Sequence, residues 1–154
     1  MTKNEMKTMT KQWLLFKGFG KCKIKALGES CYFYPMKDFD ILVSFNKDRF
    51  DECYGIAIGF QFKDEPNGWG HIDIQIPNEK YWQNIKMADG STVVVKDSFY
   101  YDDWNEEDYL ECLEKIYELH IKPYLDLGVG MLKILAKERP NALHPHAKER
   151  ILKM

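Results

Sequence analysis

Two residues of one predicted strand are of types that carry out proton-transfer chemistry. His71 and Asp73 lie two positions apart in GHIDIQIP, residues 70–77, so both side chains project from the polar face of a strand. A histidine beside a carboxylate can act as a general base that the carboxylate orients. A solvated strand face has the same pattern. We therefore assign no catalytic residue and keep His71 and Asp73 as candidates.

The other residues of reactive or metal-binding types form no familiar motif. His144 and His146 flank a proline and have no third ligand near them in the sequence. The cysteines are scattered and form no C-x-x-C pair; they are Cys22, Cys31, Cys53 and Cys112. The sequence also lacks a dinucleotide-binding glycine motif, a P-loop and the common hydrolase motifs. We expect no metal, no cofactor and four free thiols.

An acidic and aromatic segment, YYDDWNEED, occupies residues 100–108. Carboxylates favour the first turn of a helix, and either Asp103 or Asn105 could cap one, because each is followed three residues later by an acid. Its tyrosine and tryptophan side chains could be half-buried against the sheet. The alternative is an interface with a basic partner, in which the aromatic rings act as anchors. The candidate partner-binding residues are Tyr100, Tyr101, Asp102, Asp103, Trp104 and Glu107.

Small side chains at Gly55, Ala57 and Gly59 line one face of another predicted strand. Glycine weakens a strand interior, but it allows another element, an aromatic ring or a ligand to approach the backbone closely. One interpretation is close packing by a neighbouring element. The other is a ligand pocket between the sheet and the helices, lined by these three residues.

Hydrophobic periodicity predicts the elements that hold these residues. An apolar stripe at spacings of three and four predicts an N-terminal helix; it comprises Met6, Met9, Trp13 and Phe16. Alternating or apolar runs predict strands over residues 21–27, 31–36, 39–46, 54–62, 70–77 and 91–97. A helix is predicted to begin near Asn105, and Pro123 is expected to kink it or to start a new segment. A further helix is predicted over residues 129–139.

This order predicts an α+β fold with an N-terminal helix, an antiparallel meander of about five to six strands, and C-terminal helices packed on one face of the sheet. The residues expected on the buried sheet face are Ile56, Ile58, Phe60, Ile72 and Ile74. The length of 154 residues suits a single domain. We assign that domain to residues 1–140 and a short basic helical tail to residues 141–154.

Charge is distributed unevenly along the chain. The net charge is +6 over residues 1–27, −12 over residues 28–126 and +4 over residues 127–154. Either the basic ends contact the acidic middle within the fold, or the asymmetry marks an interaction surface. The acidic middle makes nucleic-acid binding an unfavoured function. The sequence contains neither an apolar stretch of roughly 18 residues nor a signal peptide, so we expect a cytoplasmic protein that does not enter the membrane.

Several short segments together suggest a relationship to known proteins. FKGFGKCK follows the lysine-rich first helix, YFYP and IAIGFQF are strands, and IKPYL ends the acidic helix. Over residues 5–127 this order resembles small uncharacterised bacterial α+β domains, some of which occur among immunity proteins of polymorphic toxin systems. The resemblance implies a cytosolic domain that binds and neutralises a toxin and has no catalytic residues.

Three functions follow from these observations. The first is a non-enzymatic binding protein, immunity-like, that occludes a basic, toxin-like protein through the acidic aromatic segment. The second is a small-ligand-binding domain that uses the pocket at Gly55, Ala57 and Gly59. The third, least favoured, is an enzyme that uses His71 and Asp73. The sequence indicates no particular oligomeric state.

Overall fold

The computed structural model of the chain describes residues 1–22, 30–48 and 50–154. Its helices are α1 (Lys3–Phe16), α2 (Glu106–Ile116), α3 (Lys122–Leu127), α4 (Val129–Glu138) and α5 (Pro145–Leu152). Its strands are β1 (Gly20–Lys21), β2 (Cys31–Pro35), β3 (Phe39–Lys47), β4 (Cys53–Phe62), β5 (Trp69–Ile72), β6 (Gln83–Lys86), β7 (Thr92–Val95) and β8 (Ser98–Tyr100). This order of elements confirms the predicted α+β fold.

Six of the strands form one antiparallel sheet, in the order β1-β2-β3-β4-β5 with β8 also paired to β4. One edge of β4 pairs with β3, from Lys47↔Tyr54 to Phe39↔Phe62. Its other edge pairs with two strands in succession, β8 at residues 53–55 and β5 at residues 58–61. The predicted meander is therefore present, and the chain returns to its central strand through β8.

β1 is an edge strand that pairs with β2 through Gly20↔Phe33 and Lys21↔Tyr32. It includes the first residue of the strand predicted over residues 21–27. Cys22 follows β1, and the remaining residues of that prediction, 23–27, lie outside the described ranges.

Alternation along the central strands buries one face of the sheet, as predicted. Ile56, Ile58 and Phe60 of β4 are buried, and Ile72 lies opposite Ile58 in the same core. Helix residues such as Met6 pack on this face, which we call the inner face. The opposite face of the sheet, which we call the outer face, carries Ser44, Ala57, Gly59 and His71.

The strand predicted over residues 70–77 is shorter than expected and ends at Ile72. Asp73 forms an ion pair with Arg139, and the Ile76 amide donates a hydrogen bond to the Lys96 carbonyl. These contacts take the chain away from β4. Ile74 is consequently only partly buried, which corrects its assignment to the buried sheet face.

The strand predicted near residues 91–97 is present as β7, but it lies in a separate two-stranded ribbon with β6. Val93 and Val94 are exposed on this ribbon. The Trp82 indole donates a hydrogen bond to the Ile76 carbonyl beside the start of β6. The alternating pattern therefore identified the strand, whereas its partner β6 has too few apolar residues to be recognised.

Helix α1 begins at the Thr2 cap, whose side chain accepts a hydrogen bond from the Glu5 amide. Its buried residues are Met6, Thr10, Trp13 and Leu14. The predicted stripe was thus wrong at Phe16, which is 86% exposed. Thr10 takes a core position because its hydroxyl donates to the Met6 carbonyl and bonds the Tyr109 hydroxyl, which satisfies both polar groups.

The C-terminal helices pack on the inner face, as predicted. α2 begins after Asn105, and a π-helical turn at Tyr117–Ile121 separates it from α3. Pro123 stands at the second residue of α3, where its missing amide proton is tolerated. The new segment expected at this proline is therefore present as α3, which follows the π-helical turn without a gap in the helix.

The end of the chain is part of the same hydrophobic core. Leu143, Ala147 and Ile151 are buried, and Leu143 forms an isolated bridge with Gly70 of β5. A side chain at position 70 would place its Cβ 2.5 Å from Leu143 Cδ2, so this approach requires glycine. The tail predicted over residues 141–154 therefore contains α5, a helix that packs against the core through Ala147 and Ile151.

Ion pairs join the basic ends of the chain to its acidic middle. Lys17 lies 2.8 Å from Glu114, which also accepts a hydrogen bond from the Trp13 indole. Arg150 contacts Asp64 and Glu65 in the turn after β4. Contact within the fold thus accounts for part of the charge asymmetry. Across the described ranges, no helix has the length and apolar composition needed to cross a membrane.

Candidate functional site

The two candidate catalytic residues occupy separate surroundings. His71, on β5, packs edge-on against Trp69, with ring centroids 5.2 Å apart on the outer face. Asp73 follows the end of β5, where it pairs with Arg139 and lines a different cleft of about 890 Å³ together with His120. The carboxylate is therefore committed to Arg139 and does not orient the imidazole. The hypothesis of a His71–Asp73 catalytic pair is wrong for this geometry.

The small residues of β4 lie on the outer face of the sheet, away from the helices. Ala57 and Gly59 line a groove of about 470 Å³, and Gly55 lines a neighbouring hollow of about 300 Å³. The expected position between the sheet and the helices is therefore wrong, because the inner face is filled by core side chains. The residues are on a concave surface, but on the opposite side of the sheet from the one predicted.

Apolar walls and a few polar groups surround this outer-face groove. Its lining residues are Cys31, Leu42, Ser44, Ala57, Ile58, Gly59, Phe60, Gln61, Pro66, Trp69, Gly70 and His71. Gly59 is required for its shape, since a Cβ there would lie 2.7 Å from the Gly70 carbonyl oxygen. Trp69 is 37% exposed and offers an aromatic surface, whereas Ser44, Gln61 and His71 offer hydrogen-bonding groups. Such a mixture suits a small, mainly apolar ligand.

The aromatic residues of the acidic segment are mostly core residues. Trp104 is 4% exposed and stacks on Tyr81, with ring centroids 3.7 Å apart. Tyr101 is buried, and its hydroxyl donates to the Cys53 carbonyl. The expectation that Tyr101 and Trp104 anchor a partner is therefore wrong, because the fold itself covers both rings. Tyr100 alone of the three aromatics is partly exposed.

The carboxylates of the segment remain at the surface. Asp102, Asp103 and Glu107 are exposed. Asn105, rather than Asp103, is the helix cap: its side chain accepts a hydrogen bond from the Asp108 amide at 2.8 Å. Asp103 instead accepts a hydrogen bond from the Gln83 side chain. Capping thus explains the position of Asn105 and leaves the functional interpretation of the exposed carboxylates open.

Pairing of β4 with β8 brings further carboxylates to the same end of the sheet. Cys53 lies opposite Tyr100, and the Tyr101 amide donates to the Glu52 carbonyl. Burial raises the pKa of the Tyr100 hydroxyl, and the charges of Asp51, Asp48 and Asp97 raise it further. Asp48 and Asp97 line one hollow together with Cys53 and Ser98, so strand pairing brings residues 48–53 beside residues 97–100.

We define the acidic surface by its carboxylates and one aromatic residue: Asp48, Asp51, Glu52, Asp97, Asp102, Asp103, Glu107 and Tyr100. Asp48 accepts hydrogen bonds from the Asp51 and Phe50 amides, and these bonds lower its pKa and favour the charged form. Phe50, in the same turn, is 88% exposed. Sequence reasoning missed this aromatic residue and the turn that carries it, because no local pattern places residues 48–52 beside residue 100.

Neither histidine of the chain's last 14 residues belongs to a metal cluster. His144 Nδ1 accepts a hydrogen bond from the His146 amide and caps α5, and His146 lies 3.3 Å from Glu65. Within residues 1–22, 30–48 and 50–154, no three His, Cys, Asp or Glu side chains are arranged to hold a metal ion.

Two features of the described surface match residues singled out from the sequence, the acidic surface at one end of the sheet and the outer-face groove. Comparison of the chain with protein-family models, with curated proteins and with solved structures gave no match.

Proposed function

We propose that the chain is a non-enzymatic binding protein whose acidic surface docks on a basic surface of another protein. The observation that carries this proposal is that strand pairing brings the carboxylates of residues 48–52 and Asp97 to the Tyr100 end of β8, next to the acidic residues 102–107 that follow in the chain. Convergence of like charge is costly for the folded chain and favours an oppositely charged partner.

The pattern of ion pairing supports this proposal. Basic groups of the chain ends are engaged by Asp64, Glu65, Asp73 and Glu114. Among the described residues, no basic side chain forms an ion pair with a carboxylate of the acidic surface. Ion pairing among the described residues therefore leaves these carboxylates available for attraction of a partner.

The proposed mechanism is occlusion, in which this end of the domain covers a functional basic surface of the partner. The carboxylates accelerate association through long-range attraction, which salt screens. Phe50 and Tyr100 supply apolar contact area in place of the buried Trp104. An immunity-like role, implied by the family resemblance, is one form of this mechanism, in which the partner is a toxin.

If a neighbouring reading frame encodes a toxin-like protein, co-expression of the chain with that protein tests the proposal. The triple variant Asp51→Asn, Asp97→Asn, Asp102→Asn should lose protection of the cells and should associate more slowly with the toxin, with a weaker dependence on salt. Asp48 is left unchanged because it caps its own turn. Phe50→Ala should mainly accelerate dissociation, because it removes contact area rather than charge.

A matched control neutralises three exposed helical carboxylates elsewhere: Glu111→Gln, Glu118→Gln, Asp126→Asn. It changes the net charge equally and should retain protection. If the folded acidic-surface variant protects the cells as well as the control, this surface is not the binding site.

A second function, small-ligand binding, is favoured by the outer-face groove of about 470 Å³. The fluorescent probe anilinonaphthalene sulfonate should bind there, because the walls are mainly apolar. Ala57→Leu fills the floor of the groove and should reduce probe fluorescence. Thr8→Leu adds the same side chain at an exposed position of α1 and should not reduce it. Equal fluorescence in both variants would show that the probe binds elsewhere.

A further inference from the structure

Two of the four thiols face each other across neighbouring strands. The β1–β2 register pairs Lys21 with Tyr32, so the next position places Cys22 directly opposite Cys31. The Cys22 amide donates a hydrogen bond to the Cys31 carbonyl at 2.9 Å, which continues the ladder to this pair. Directly opposed residues of antiparallel strands project their side chains from the same sheet face.

This arrangement has the dimensions of a disulfide. A hydrogen-bonded antiparallel pair has Cα atoms about 5.5 Å apart, and disulfides span about 4.4–6.8 Å between Cα atoms. The other two cysteines lack such a partner: Cys53 lies opposite Tyr100, and Cys112 is on α2. All four thiols are free in this structure, so the geometry describes the reduced form.

We propose that Cys22 and Cys31 form a reversible disulfide when the protein meets a small-molecule disulfide such as oxidised glutathione. In the first step the Cys22 thiolate attacks one sulfur of glutathione disulfide, forms a mixed disulfide and releases one glutathione thiol. In the second step the Cys31 thiol loses its proton and attacks the Cys22 sulfur, and a second glutathione leaves. Two protein thiols are oxidised and one glutathione disulfide is reduced.

The order of the steps follows from exposure. Cys22 is partly exposed, whereas Cys31 is fully buried. Burial, together with the charge and the hydrogen bond of Cys22, raises the pKa of Cys31 to about 12. Cys31 therefore does not react with a dissolved oxidant. It reacts in the second step because the mixed disulfide is held against it.

Oxidation would act on two features described above. The bridge would fix the edge strand β1 to β2 by a covalent bond. Cys31 also lines the outer-face groove, so its conversion from thiol to disulfide changes one wall of that groove. The inference does not rest on the acidic surface.

The test is titration of the reduced full chain with oxidised glutathione, followed by intact mass measurement and peptide mapping without reduction. The wild type should lose two hydrogen atoms in mass and yield a peptide that links Cys22 to Cys31. Dithiothreitol should restore the original mass. The far-UV circular dichroism spectrum should not change, because the bridge fits the native register.

Two variants separate the steps. Cys31→Ser should stop at the mixed disulfide and gain one glutathione on Cys22. If the serine variant does not fold, Cys31→Ala is used for the same measurement. Cys22→Ser should gain neither a bridge nor an adduct while folded. A wild type that stops at the Cys22 adduct, a linkage between any other cysteines, or a bridge that forms only with loss of secondary structure would overturn the proposal.

Discussion

Tyr81 and Trp104 lie face to face, with ring centroids 3.7 Å apart and ring planes 17° from parallel. Tyr81 belongs to a 3₁₀ turn that precedes β6, and its hydroxyl also donates to Asp108 in the first turn of α2. The stack therefore joins the β5–β6 connection to the segment that contributes carboxylates to the acidic surface. Trp104 supports that surface from beneath and does not form part of it.

Replacement of this tryptophan is expected to affect stability. Trp104→Ala should reduce the free energy of unfolding by about 3–5 kcal/mol, because it removes a buried ring and leaves a cavity. Trp69→Ala should reduce the free energy of unfolding by clearly less, because Trp69 is partly exposed at the rim of the outer-face groove. Urea denaturation of both variants measures the difference. Equal losses would show that Trp104 is not the core residue described here.

The helix cap offers a second prediction. Asn105→Ala should reduce the free energy of unfolding by about 0.5–2 kcal/mol, since the Asp108 amide loses its acceptor. Asp103→Ala is the matched control, because Asp103 is exposed and does not cap α2. Thermal denaturation compares the two. A greater loss of stability in the Asp103 variant would show that Asn105 is not the residue that caps α2.

A third prediction concerns alkaline pH and the hydrogen bond between Tyr109 and Thr10. Thr10 donates its one hydroxyl proton to the Met6 carbonyl, so the Tyr109 hydroxyl donates to Thr10. Burial raises the pKa of Tyr109 above its ordinary value of 10.0. The fold thus favours the neutral phenol. Its contribution is fully present below pH 10.0 and is lost as the pH rises toward the folded pKa.

Tyr109→Phe should therefore reduce the free energy of unfolding by about 0.5–1.5 kcal/mol near neutral pH, because the substitution removes the hydrogen bond to Thr10. The variant should also show a smaller loss of stability than the wild type between about pH 8 and about pH 11. Guanidinium denaturation at the two pH values measures both effects. An identical pH dependence in the two proteins would exclude Tyr109 as a source of alkaline destabilisation.

The fourth prediction tests the close approach of the chain end to the sheet. In Gly70→Ala the new Cβ would lie 2.5 Å from Leu143 Cδ2 and 2.6 Å from Phe60 Cε1. Overpacking of this kind costs about 1–3 kcal/mol. Gly130→Ala is the control: its Cβ would meet Leu127 at 3.8 Å, and a helical alanine should stabilise by about 0.4–1 kcal/mol. Melting temperatures that shift in the same direction would contradict the packing at Gly70.

Local patterns predicted the central strands well because each has a complete alternation. β4 shows five large apolar residues on one side, and the structure buries all five. β8, in contrast, has three residues and no visible period. Its register depends on contact between residues 53 and 100, which no local rule specifies. The part of the acidic surface at residues 48–52 could not be predicted for the same reason.

Local sequence patterns also do not determine which polar and aromatic residues are buried. Thr10 is buried because a hydroxyl from residue 109 satisfies it, and Trp104 is buried because Tyr81 covers it. Each depends on a partner from a distant element. The sequence indicated that residues 100–108 mix acids with aromatics, but only the tertiary contacts show that the acids face solvent while the rings mostly do not.

Pairing on the two edges of β4 also suggests an order of folding. β3 and β4 are joined by a short turn, so their pairing closes a small loop and forms early. Pairing of β8 with β4 closes a much longer loop, residues 63–97. This loop costs more chain entropy and slows the pairing. We therefore expect the acidic surface to be assembled after the β3–β4 hairpin. A newly synthesised chain would then hold its central hairpin before it holds this surface.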